Sequence, residues 1–342
     1  MNGFFVPLPP NFKLEITMTI QILILISGLL LILLGANWLV DGSSSIAKKT
    51  GMSEFIIGLT IVGIGTSTPE MVVSFMSSLS PMEGASDMAI GNAVGSNIFN
   101  TLVILGITAL ICPLDITRES LRRDLPLNIG VTGLLIFLGL KGTIFGIGSD
   151  TLTRIDGLIM LLILVLYFRV LLKKPKNAPD VQDQTQEEDT TKVFSTGKSV
   201  LLILAGLGCL VLGGRLFVDA GSWIASKYMS PKLVALTIMS VGTSLPELAT
   251  SVVAALKGRG QLAMGNILGS NIFNILLILG GCAVIKPLSF GAMNPVDLGV
   301  VMIAAIFLFT SAYTFKSFKL DRFEAAILLL LEAGYMTWLF MN

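Results

Sequence analysis

Ten stretches of this chain are too apolar to face water, and they limit the fold more than any other feature of the sequence. They run over residues 19–40, 54–79, 88–112, 124–140, 153–172, 198–217, 232–256, 261–285, 296–314 and 321–341. Stretches of this length suit helices crossing a hydrocarbon layer of about 30 Å. None alternates strictly between apolar and polar residues, so a transmembrane β-barrel is excluded and helices must satisfy the backbone. Hydrophobic residues make up 53% of the chain and charged ones only 13%, about half the charged share of a soluble protein. The expected fold is an all-α polytopic membrane protein of ten transmembrane helices, with membrane lipid as its surroundings. A net charge of +1 gives no ground for a nucleic-acid partner. Histidine is absent, which removes the usual proton relay and transition-metal ligand. Cys112, Cys209 and Cys282 lie far apart in apolar runs, so neither a disulfide framework nor a metal cluster is expected. No resident cofactor and no enzymatic activity are expected either.

Between the fifth and sixth stretches, Lys173–Gly197 is polar and nearly devoid of large apolar residues. Such a segment cannot bury a core and is expected to be a linker. Its Glu187-Glu188-Asp189 run lacks the spaced ligands of a calcium sensor and fits a solvated loop. The linker divides the chain into halves at 1–172 and 198–342, each with five apolar stretches. Five is odd, so halves of one fold must face opposite ways across the membrane. With the N-terminus outside, 16 lysines and arginines fall on the inner side and 6 on the outer, with Arg215 inside a stretch. The positive-inside bias therefore predicts two inverted five-helix repeats, both termini outside and a cytoplasmic linker, in the cell membrane. A cleaved signal peptide is the alternative for the first stretch. It is long for that role, and no basic run precedes it.

The halves also share a polar motif. Gly65-Thr66-Ser67-Thr68-Pro69-Glu70 recurs as Gly242-Thr243-Ser244-Leu245-Pro246-Glu247, and Gly95-Ser96-Asn97-Ile98-Phe99-Asn100 recurs as Gly269-Ser270-Asn271-Ile272-Phe273-Asn274. Identity is 9 of 18 positions over 59–76 against 236–253, and 13 of 18 over 89–106 against 263–280. The repeats, about 54–112 and 232–285, thus place a carboxylate, hydroxyls and amides inside apolar stretches, where they are costly. Pro69 and Pro246 are expected to break their helices by removing a bond to Gly65 or Gly242. Broken helices at matching places in two halves point to a transporter's binding site. Glu70, Glu247, Thr66, Ser67, Thr243, Ser244, Asn100 and Asn274 offer only hard oxygens, which suit Ca²⁺ and Na⁺. Thr66 and Ser67 with Glu70, and Ser96 with Asn100, are three or four residues apart and share helix faces. A kinked packing feature would explain one such block; two in inverted halves favour transport. Gly91–Gly95 and Gly265–Gly269 fit close helix packing. Arg215 and Glu332 have no partner of the same type in the other half and suit structural pairing or interfacial snorkelling.

These paired blocks resemble the α-repeats of sodium/calcium exchangers, in the calcium/cation antiporter superfamily. The resemblance covers both repeats and the ten-stretch outline. It implies that the second, third, seventh and eighth helices build the ion site, and that Glu70 and Glu247 serve calcium and sodium in turn. It further implies Thr66, Ser67, Ser96 and Asn100, with Thr243, Ser244, Ser270 and Asn274, as ligands, joined by carbonyls near Gly63 and Ser240. The first and sixth helices are implied to slide across this core as the gate. Some relatives, including potassium-dependent exchangers, carry Asp where this chain has Asn274, which argues against potassium co-transport. The linker is too short for a large regulatory domain.

The expected function is a secondary antiporter that exports Ca²⁺ on inward Na⁺ flow, with mutual exclusion at the two glutamates providing the coupling. A Ca²⁺/proton exchanger using the same pair is the alternative, although the hydroxyls beside each glutamate favour sodium. A channel would pass calcium without a counter-ion and a scaffold would pass none; the inverted repeat weighs against both.

Overall fold

The computed structural model describes residues 10–79, 85–146, 148–173, 193–228, 240–291, 293–313 and 318–341, with the side chains of 10–16, 85, 145 and 240 excepted. Most of the linker, and the first part of the apolar stretch 232–256, lie outside these residues. Every other expected apolar stretch is helical. In chain order the helices are α1 (Pro10–Thr50), α2 (Glu54–Thr66), α3 (Thr68–Leu79), α4 (Ser86–Ile111), α5 (Arg118–Arg122), α6 (Asp124–Gly139) and α7 (Lys141–Phe145). Then come α8 (Arg154–Leu171) and, after the linker, α9 (Thr196–Ala225), α10 (Ser240–Thr243), α11 (Leu245–Leu256), α12 (Gly260–Ile285), α13 (Pro295–Ser311) and α14 (Arg322–Met341). By sequence α8 belongs to the first half and closes it. Among the described residues, α1, α4, α9, α12 and α14 are each long and apolar enough to cross a membrane, and α2 with α3 makes one further bent span.

Two short antiparallel ribbons tie the halves together. Leu114–Asp115 pairs with Lys319–Leu320, and Thr151–Leu152 pairs with Leu288–Ser289. Each ribbon joins the end of one repeat to the strand that precedes the last helix of the other half, so the ribbons are counterparts. The chain enters α8 through a capping box, in which Thr153 accepts from the Asp156 amide and Asp156 accepts from the Thr153 amide.

Burial separates a centre from a periphery. In α12 83% of the best membrane-spanning window is buried and in α4 67%, against 17% in α1 and 28% in α9. The large core therefore forms around α4 and α12, with α6, α8, α13 and α14 packed on them. A second, smaller core joins α1 and α9 to α2, α11 and α12. Leu23 and Leu30 of α1 and Leu201 and Leu204 of α9 remain exposed, as lipid-facing residues should.

The α1–α9 contact depends on glycine. A Cβ on Gly28 would lie 2.8 Å from the Gly213 carbonyl, and one on Gly35 would lie 2.6 Å from that of Gly206. Reciprocally, Cβ atoms on Gly206 and Gly213 would meet the carbonyls of Gly35 and Gly28 at 2.8 and 2.7 Å. Residue numbers rise along one helix as they fall along the other, so these sequence counterparts run antiparallel. Glycines seven residues apart keep one seam facing the partner, as in other close membrane crossings. Gly35→Ala should therefore cost about 1–3 kcal/mol through backbone displacement, lowering the Tm of the detergent-solubilised protein by several degrees. Gly130→Ala, whose Cβ meets nothing within 4 Å, should leave the Tm unchanged or raise it; equal losses in both would show that the seam is not tight.

Candidate ion-binding site

The helix breaks form one residue before the prolines' own turn. Ser67 and Ser244 leave the helical region, with ψ of 5° in each case, and α3 sets off at 46° from α2. Pro69 and Pro246 then occupy the first turn of α3 and α11, where a missing amide hydrogen loses no helical bond. This corrects the expected interior kink: proline restarts the helix, and serine makes the break. The Gly63 carbonyl is taken by the Ser67 amide at 3.1 Å and the Thr66 hydroxyl at 3.5 Å.

At the break the halves exchange partners. Ser67 donates to Glu247 Oε1 at 3.2 Å, and Ser244 donates to Glu70 Oε1 at 3.2 Å. Ser96 also donates to Glu70 Oε1 at 3.2 Å, and the Ser96 and Ser244 hydroxyls lie 2.7 Å apart. Glu70 and Glu247 are each only 1% exposed. The structure thus brings Glu70, Ser67, Ser96, Ser244 and Glu247 together. Thr66 donates to Asn266 Oδ1 at 3.1 Å, and its hydroxyl lies against the Glu247 carboxylate. Thr243 is half-buried beside Ser244, and the Ser240 side chain lies outside the described residues.

Asn100 and Asn274 stand at the start of matching π-helical segments, Phe99–Ile104 and Asn274–Leu279. The wider π turn is common at functional sites because it re-aims side chains and loosens the backbone ladder. Both asparagines are buried, and Asn274 Nδ2 donates to Asn97 Oδ1 at 3.0 Å. Asn97 Nδ2 donates to the Asn271 carbonyl at 3.2 Å, and Asn271 Nδ2 donates to Thr101 Oγ1 at 2.8 Å. With the nitrogens engaged in this way, amide oxygens are left over.

The unpartnered oxygens define what the site lacks. Glu70 Oε2, Glu247 Oε2, Asn100 Oδ1, Asn271 Oδ1, Asn274 Oδ1 and Ser270 Oγ are buried without a hydrogen-bond partner among the described residues. A buried oxygen without a donor costs about 1–3 kcal/mol, and a charged one more. These groups suit a hard cation, which takes several oxygens at once. No group of three or more His, Cys, Asp or Glu side chains occurs among the described residues, so the donors are mostly neutral.

Two residues beyond the expected set hold the geometry. Asn92 Nδ2 donates to the Glu70 carbonyl at 3.2 Å and to Ser74 Oγ at 3.0 Å. Its counterpart Asn266 donates to the Glu247 carbonyl at 3.5 Å and to Ser251 Oγ at 3.0 Å. Both are identical in the two repeats, which is the signal that could have found them. Gly265 and Gly269 let α12 approach α2 directly, since Cβ atoms there would lie 2.2 and 2.4 Å from the Phe55 and Leu59 carbonyls. The close-packing expectation for this glycine pair holds. Arg215 is exposed beside a cavity lined by Gly65, Thr68 and Leu207.

The comparisons with known proteins agree with this geometry. The sequence matches the sodium/calcium exchanger protein family over residues 20–173 and 198–341. The chain belongs to that family. This exchanger is 34% identical over 327 residues to the inner membrane protein YrbG of Escherichia coli (strain K12), covering 93% of this chain and 95% of that one. It is 30% identical over 362 residues to the sodium/calcium exchanger MaX1 of Methanosarcina acetivorans, covering 94% and 99%. A solved structure of the sodium-calcium exchanger NCX_Mj superposes with a TM-score of 0.76 at 30% identity, over 93% of this chain and 98% of that one. The exchanger is an integral membrane protein and a cation/Ca²⁺ antiporter.

Asn266→Ala removes both bonds that fix the Glu247 turn, as well as the acceptor for Thr66. Losing these buried bonds should cost about 1–3 kcal/mol, read as a roughly 10- to 100-fold fall in ⁴⁵Ca²⁺ affinity of the purified exchanger. Unchanged affinity would show that Asn266 does not position the site.

Proposed function

We propose that this exchanger moves Ca²⁺ against Na⁺ by alternating access, with both ions held in turn at Glu70 and Glu247. The observation that carries this reading is the set of buried oxygens without donors: one from each glutamate, with those of Asn100, Asn271, Asn274 and Ser270. A proton would need a single carboxylate oxygen. Several neutral oxygens beside it are the chemistry of a metal cation, which supports Na⁺ over H⁺ as the counter-ion. Two carboxylates match the charge of one Ca²⁺ or of two Na⁺, so the ions exclude one another.

Coupling follows from where the carboxylates get their donors. Each glutamate is hydrogen-bonded by the serine of the other half, so an uncompensated pair repels across the contact that joins the halves. Ion occupancy removes that repulsion and permits the halves to rearrange. An ion shifts the equilibrium between two states only through its different affinity for each. The lysine and arginine distribution supports an orientation with the linker in the cytoplasm, and an inward Na⁺ gradient would then drive Ca²⁺ export. Asn274 in place of a third acid leaves no charge for a K⁺, so flux should be indifferent to potassium.

Glu70→Gln or Glu247→Gln should reduce ⁴⁵Ca²⁺ flux in proteoliposomes about a hundredfold or more, because stripping one partner from a buried charge site costs about 3–5 kcal/mol. A sodium gradient should drive uptake and a pH gradient of equal size should not. Uptake driven by pH alone would replace Na⁺ with H⁺, and flux persisting with Gln at both positions would remove the site assignment.

A further inference from the structure

A tyrosine–aspartate bond occurs at the same place in both halves. Tyr167 of α8 donates to Asp124 Oδ1 at 2.7 Å, and Tyr335 of α14 donates to Asp297 Oδ1 at 2.9 Å. The surroundings correspond too: Arg154 donates to the Ile285 carbonyl and Arg322 to the Leu110 carbonyl, at the starts of the same two helices. In the first half Arg123 neutralises the aspartate, its Nε 2.7 Å from Asp124 Oδ1. In the second half the preceding residue is Val296, and neither Asp297 nor Glu332 makes an ion pair among the described residues.

In this half a second carboxylate lies near the tyrosine, at a different position from that cation. Glu332 lies three residues before Tyr335, on the same face of α14. The corresponding residue before Tyr167 is Leu164, buried against the large core. The fold therefore accepts a leucine here and does not require an acid. Glu332 is 8% exposed, and its Oε2 has no hydrogen-bond partner among the described residues.

The packing places this acid's helix against the segment that carries Asn100. Helix α14 runs antiparallel to α4: Arg322 bonds the Leu110 carbonyl, and Gly106 faces Ala325 and Leu329. One turn beyond Leu329, Glu332 comes level with the π segment Phe99–Ile104, which α14 also touches and which carries Asn100. The facing part of α4, residues 99–111, has no charged or titratable side chain; its polar groups are the Asn100 amide and the Thr101 and Thr108 hydroxyls. From α13 the facing group is Asp297, and on α14 itself it is Tyr335. Neither supplies a positive charge, and a bare carboxylate at such a place would be stranded.

We propose that Glu332 is a proton-binding site separate from the Glu70–Glu247 pair, and that its proton keeps α14 seated on the π segment carrying Asn100. Glu332 holds this proton whichever ion is coupled to Ca²⁺. Loss of the proton puts a charge between α14 and α4, so exchange declines as pH rises through the ionisation of Glu332.

Infrared spectroscopy of the full-length exchanger in lipid, with Ca²⁺ saturating to hold Glu70 and Glu247 ionised, tests this. The parent protein should show a protonated-carboxyl C=O band that titrates away as pH rises, and Glu332→Gln and Glu332→Leu should both lack it. Across the same alkaline range ⁴⁵Ca²⁺ flux of the parent should fall several-fold, while both variants keep their flux. Glu332→Leu copies Leu164 and carries the test should Glu332→Gln fail to fold. A band unchanged in the variants, a parental alkaline fall retained by them, or a folded Glu332→Leu without flux at any pH would each overturn the proposal. So would loss of the band on adding Na⁺ at fixed pH, which would make the ligand a metal cation.

Discussion

Two carboxylates buried together, with no cationic side chain paired to them among the described residues, set the terms for the rest of this structure. Glu70 and Glu247 can be there only because serines reach them, Ser244 and Ser67 from the opposite half and Ser96 from Glu70's own. For Ser67 and Ser244 to reach across, both helices must break at those residues. For the breaks to hold, Asn92 and Asn266 must occupy the glutamate carbonyls on the far side. Proline then restarts each helix at no hydrogen-bond cost. Breaks, prolines and asparagines are thus one solution to one electrostatic problem, written twice.

Close approach of the backbones makes the solution possible. Neighbouring transmembrane helices gain little from apolar contact alone, because lipid is as apolar as leucine. Glycine changes that by letting carbonyls of one helix meet Cα atoms of the next, as Gly265 and Gly269 do against α2 and as Gly35 and Gly206 do across the α1–α9 seam. The first contact brings the oxygen-bearing faces of both repeats together. The second binds the peripheral pair to each other by a seam of matching glycines, distinct from the large core around α4 and α12.

Much of this was legible in the sequence, for physical reasons. Apolar length marks helices in a membrane because nothing else can satisfy the backbone there. The hexapeptide repeats marked Glu70, Ser67, Ser96, Ser244 and Glu247, since polar residues in such stretches demand a purpose. Asn92 and Asn266 were equally identical, but they serve backbone carbonyls, and nothing in the sequence says which carbonyls will be freed. The π segments had no signature: Phe-Asn-Thr-Leu-Val-Ile and Asn-Ile-Leu-Leu-Ile-Leu read as ordinary helix. The glycine seam had its period of seven, yet its two sides lie more than 150 residues apart in the chain. Two-residue ribbons are too short to carry any pattern. Proline was placed correctly and its role was not, because sequence cannot distinguish an interior kink from a fresh start.

The halves are most informative where they differ. Lys257 holds Asp41 of α1 at 2.7 Å, whereas the matching Asp219 of α9 has no ion pair among the described residues. Thr101 accepts from Asn271, and the position matching Thr101 is Ile275, which has no oxygen to offer. A fully symmetric pair of halves would hold its two inverted arrangements at equal energy. Each unmatched contact favours the arrangement in which it forms. The Lys257–Asp41 pair is partly exposed and worth at most about 1 kcal/mol, enough to tilt a two-state balance about fivefold and too little to lock it. A transporter that must visit both arrangements can carry asymmetries of that size, and larger ones would hold it in a single state.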